Sequence, residues 1–67
     1  MTTIKGKVLD ERHYLDKVTY VPQHLKGDAS KGEPGVIVRW DNEGNVFVLY
    51  SKGRTVQRTN ASDLVWG

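Results

Sequence analysis

Between Gly35 and Tyr50, the run GVIVRWDNEGNVFVLY alternates apolar and polar positions on either side of a polar turn. Val36, Val38 and Trp40 share one parity, and so do Val46, Val48 and Tyr50. Successive strand side chains point to opposite faces, so these two sets are expected to line the core. Ile37, Phe47 and Leu49 then face outward by parity. Asp41 to Asn45 supplies a short polar loop with Gly44 free to take a positive φ, and the whole reads as a β-hairpin. Upstream, Lys17–Val21 is rich in β-branched and aromatic residues and is closed by Pro22, which predicts a strand. Residues 23–34 hold two Gly, a Pro and little apolar content, and predict a long loop. Lys52-Gly53 predicts a tight two-residue turn before a strand over Arg54–Gln57. Asn60 to Asp63 predicts one helical turn capped by Asn60, with Leu64–Trp66 as a last short strand.

The first fifteen residues are open to two readings. Ile4, Val8 and Leu9 extend a strand, or Val8–Leu15 forms a helical turn; Gly6 opposes an earlier helix start. In either case they are expected to act as an arm that covers exposed apolar surface. The organisation is therefore an arm over 1–15 and one domain over 16–67, with no repeat and no second domain. The fold class is all-β: a five-stranded antiparallel barrel with an N-terminal arm.

Size narrows the choices. A chain of 67 residues buries only about 60% of the surface it exposes when unfolded. Apolar residues make up 37% of it, so the core is thin, and with no cysteine there is no disulfide to reinforce it. A closely paired barrel or a homodimer sharing its core would answer that shortage. The lack of cysteine also removes any Cys-based zinc site. No run suits a signal peptide or a membrane span, so a soluble cytoplasmic protein without membrane contact is expected. The net charge of +2 is mixed and leaves the partner class open.

The predicted order is strand, long loop, two hairpins, one 3₁₀ turn and a closing strand. It resembles the SH3-like barrel over Lys17–Trp66. The words Val18-Thr19-Tyr20-Val21-Pro22, His24-Leu25-Lys26-Gly27-Asp28, Gly35-Val36-Ile37-Val38 and Asp63-Leu64-Val65 resemble small SH3-like proteins of bacteriophages and prophages. That resemblance implies a fold and a bacterial-host setting more than an activity. The chain departs from that family in its longer arm and in having no Cys in the loop. A smaller similarity joins Thr55-Val56-Gln57 to the pore strand of the type II dihydrofolate reductases, which are tetramers. Gln57 matches that strand's V-Q-I-Y, but Arg58 and Thr59 replace its Ile and Tyr.

Three sets of residues are candidates for contact. The outward Ile37, Phe47 and Leu49 form an apolar patch, to be covered by the arm or a second copy, or to bind a protein. His24, Lys26 and Asp28 lie on the long loop, where small domains often bind partners. Arg39, Lys52, Arg54 and Arg58, with Tyr50 to stack on bases, make a strip suited to nucleic acid. Tyr20, Trp40, Tyr50 and Trp66 stand at strand ends, where aromatic cages for alkylated ammonium groups are built in some barrels; filling the core is their more ordinary use. No residue set supports catalysis, a cofactor or a metal. The expectation is a non-enzymatic module for a protein partner. Nucleic-acid binding is the alternative, and a reductase-like tetramer a remote one.

Overall fold

The computed structural model describes residues 1–22 and 32–67. Its strands are β1 (Thr3–Ile4), β2 (Lys7–Val8), β3 (Lys17–Tyr20), β4 (Glu33–Trp40), β5 (Asn45–Tyr50), β6 (Val56–Asn60) and β7 (Leu64–Trp66). Two 3₁₀ turns, Glu11–His13 and Ala61–Asp63, complete the described elements. The protein is thus mostly β, with no α-helix among the described residues.

β3 to β7 form one antiparallel sheet in the order β6-β5-β4-β3-β7. Three consecutive pairings make a meander, and β7 then returns to the free edge of β3. Only the turn Ala61–Asp63 separates β6 on one edge from β7 on the other. Three residues span at most about 10 Å, so the two edges must approach each other and the sheet must curl around its apolar face. Asn60 caps this turn as expected, its side chain accepting from the Ser62 N–H at 3.0 Å.

The core is Ile4, Leu9, Val18, Ile37, Val46, Val48, Tyr50, Ala61 and Leu64, with Tyr20, Trp40 and Trp66 packed against it. Ile4 and Leu9 therefore fill the inside of the sheet and do not cover its outer face, while Val8 stays 44% exposed and Glu11 and Tyr14 border a surface hollow with Val38, Arg39 and Trp40. Lys5 and Gly6 both have positive φ, 46° and 84°, and join β1 to β2 as a two-residue hairpin turn. Leu9 N–H bonds the Thr2 carbonyl at 2.9 Å, and the Trp66 indole N–H bonds the Ile4 carbonyl at 2.9 Å. The Thr2 hydroxyl bonds the Asp41 carbonyl and accepts from the Gly44 N–H, which pins the chain start to the β4–β5 turn.

The structure corrects two further expectations about the strands. Strict alternation turns Ile37 outward, but it is fully buried. Parity misleads here because β4 carries a bulge between Ile37 and Arg39. Ile37 pairs with the inward Val48, whereas beyond the bulge Trp40 pairs with the inward Val46. One extra residue thus reverses the faces within a single strand. Val36 and Val38 are correspondingly only half-buried. The second correction concerns Lys52-Gly53, which does not form a two-residue turn. Residues 51–55 make a wider loop closed by the Tyr50 N–H on the Thr55 carbonyl at 3.0 Å, and β6 starts at Val56. Gly53 and Arg54 both take positive φ there.

Candidate interaction surface

Directly paired residues share a face, so the register gives the outer surface row by row. Lys17 pairs with Val36, Val36 with Leu49, and Leu49 with Val56. This first row crosses β3, β4, β5 and β6. The second row is Arg39, Phe47 and Arg58 on β4, β5 and β6. Two residues separate the rows along β5, or about 7 Å. The Arg39 guanidinium lies over the Phe47 ring, 4.2 Å from its centroid.

The face therefore holds Val36, Leu49, Val56 and Phe47, with Lys17, Arg39 and Arg58 at its margins and no carboxylate in either row. Val56 is 54% exposed. The Asp41 carboxyl is held below the usual range mainly by the Asn45 side-chain amide and then by the N–H groups of Glu43 and Asn45, at 2.9 to 3.0 Å, with a smaller contribution from the charge of Arg58. Asp41 is thus occupied mainly in building the β4–β5 turn.

The structure sorts the expected contact residues. Phe47 and Leu49 belong to the outer face, and Ile37 does not. Arg39 and Arg58 share a row, while Lys52 and Arg54 lie in the 51–55 loop. Tyr50 cannot stack on bases from outside: it is 5% exposed and turned into the core, and its hydroxyl sits 2.6 Å from the Thr59 hydroxyl. Burial first of all raises its pKa. The aromatic beside the arginines is Phe47 instead, which only the cross-strand register reveals. His24, Lys26 and Asp28 lie outside the described residues.

A second feature lies inside the curl. A concavity of about 350 Å³ opens between the end of β3, the start of β4, β6 and the second 3₁₀ turn. Tyr20, Glu33, Tyr50, Gln57, Thr59 and Asp63 line it, and Lys52 and Arg58 also border it. Of the four strand-end aromatics, only Tyr20 and Tyr50 come together there, edge to face with centroids 6.4 Å apart. Trp66 packs instead against His13, with ring centroids 5.0 Å apart. Glu33 and Asp63 carried no signal in sequence, because their meeting depends on the pairing of β3 with both β4 and β7.

At the N-terminal end, Asp10 caps the first 3₁₀ turn and binds Arg12 through both carboxylate oxygens. That guanidinium is the main reason the Asp10 pKa falls to about 2. His13 stands 3.0 Å from Asp16. Among the described residues no group of three or more His, Asp or Glu converges on a metal position. No helix among them is long and apolar enough to cross a membrane. Comparison with family models, curated proteins and solved structures finds no match to this chain.

Proposed function

We propose that the chain is a non-enzymatic SH3-like interaction module of bacteriophage or prophage type. Its contact surface for a protein partner is the outer face of β4, β5 and β6. The strand order β6-β5-β4-β3-β7 and the 3₁₀ turn before β7 support the SH3-like reading. The words Val18–Pro22 and Asp63–Val65 support the phage-type reading.

The functional reading rests on one apolar strip. Val36, Leu49 and Val56 run side by side across three strands next to Phe47, while of the three residues expected to cover them Ile4 and Leu9 belong to the core and Val8 is exposed. A contiguous apolar strip rimmed by cations suits a partner that offers apolar side chains among acidic ones. The test is cross-linked capture from bacterial host lysate with wild type, Phe47→Ala and Leu49→Asp, after each variant is shown to be folded. The specific partner should fall about tenfold or more in yield with either substitution. Equal capture by all three removes this face from the proposal.

The Arg39–Phe47–Arg58 row favours a second reading, single-stranded nucleic acid held by guanidinium and stacking contacts. It requires affinity that falls steeply with salt.

A further inference from the structure

The concavity inside the curl is distinct from the outer face and shares only Arg58 with it. Tyr20 stands at its centre by register: it pairs with Glu33 on β4 and with Leu64 on β7. The next residue, Val21, donates its N–H to the Asp63 carbonyl at 2.7 Å, which holds Asp63 beside the same strand end. Glu33 and Asp63 thus reach the cavity from opposite neighbours of Tyr20. Tyr50 braces the Tyr20 ring edge to face and is itself fixed by Thr59.

Among the described residues two cations, Lys52 and Arg58, border the same cavity, yet neither neutralises these carboxylates by direct contact. The ion pairs among the described residues all lie within Asp10–Asp16, and none joins Lys52 or Arg58 to Glu33 or Asp63 within 4.0 Å. Burial above all, and then the Glu33 and Asp63 carboxylates, disfavour the Tyr50 phenolate, while the Thr59 hydrogen bond favours it.

We propose that this concavity binds a methylated or quaternary ammonium group, with Tyr20 as the aromatic wall and Glu33 and Asp63 as its counter-charges. The volume is at the small end of ligand pockets and suits one such head group. A weakly hydrated organic cation gains from an aromatic face as well as from the carboxylates. A bare divalent ion needs six or more oxygens, several of them usually from the protein, and two carboxylates beside a tyrosine do not supply that set.

The test is a ¹H–¹⁵N titration with tetramethylammonium and with trimethyl-lysine amide. The neutral isostere 3,3-dimethylbutanol and inorganic phosphate serve as comparisons at equal ionic strength. Saturable shifts should centre on Tyr20, Glu33, Gln57 and Asp63 with both ammonium probes and be absent with the other two. Glu33→Gln, at an exposed position, should weaken binding about three- to tenfold, and Tyr20→Leu more. Phe47→Ala should leave the titration unchanged, which separates this site from the outer face. Absence of saturable shifts, equal shifts from the neutral isostere, or shifts from phosphate in place of the ammonium probes would overturn the proposal.

Discussion

A Cβ at Gly35 would meet Val48 Cγ1 at 2.6 Å and the Leu49 carbonyl oxygen at 2.7 Å. Two of its three nearest neighbours are backbone of β5, so the strands would have to separate. Gly35→Ala should therefore lower stability by about 1–3 kcal/mol in urea titration, although a glycine inside a strand ordinarily weakens it. At Asp10 the single residue decides a pH response. Its folded pKa of about 2 lies below the ordinary 3.8, so its interaction with Arg12 stabilises the fold above the ordinary value. That contribution disappears as pH falls from about 4 through about 2. A carboxyl-detected NMR titration should place the Asp10 midpoint near 2 in the native protein and return it toward the ordinary value in Arg12→Ala. An unchanged midpoint in that variant would mean that Arg12 is not the cause.

The β1–β2 hairpin shows what an element of two-residue strands can contribute. Ile4 is fully buried and its carbonyl receives the Trp66 indole N–H, so one residue ties the chain start to the last strand. Ile4→Ala should cost about 2–5 kcal/mol, seen as a large drop in melting temperature. A drop below about 1 kcal/mol would show that the hairpin stands outside the cooperative core. β4 makes the complementary point. Its bulge lets one strand place Ile37 inside and then put Arg39 outside beside Phe47, which strict alternation from Ile37 would not allow. The helical turn at 61–63 is legible in the sequence because Asn60 is a local cap. The bulge is not, because it arises where residues 15–16 also bond to β4. Leu15 donates to the Ile37 carbonyl at 2.7 Å, and Ile37 donates to the Asp16 carbonyl at 3.0 Å.

Across the molecule, the outer face of the sheet and the concavity differ in character. Outside are apolar side chains with Lys17, Arg39 and Arg58; in the concavity, Tyr20 stands between two carboxylates, with Lys52 and Arg58 at its border. This difference gives the nucleic-acid reading a sharp form. If single-stranded oligonucleotide binds the outer face, replacing Arg39 and Arg58 together by alanine should reduce the slope of log K against log salt by about 1.4, at about 0.7 for each phosphate no longer neutralised. Binding that keeps its slope in the double variant would place the phosphates elsewhere, for instance at Lys52 and Arg54.

Local residue chemistry was enough to read the all-β class, the β4–β5 hairpin, the closing 3₁₀ turn and final strand, and the outward placement of Phe47 and Leu49. Each of these rests on turn residues or on period-two alternation within one uninterrupted strand. Folding in three dimensions set which face Ile37 takes, drew Ile4 and Leu9 into the core, and put Phe47 rather than Tyr50 beside the arginines. It also brought Tyr20, Glu33 and Asp63 to one cavity. These outcomes depend on pairings between residues distant in the chain. A bulge or a return strand changes a side chain's surroundings without leaving any mark in the residues on either side of it.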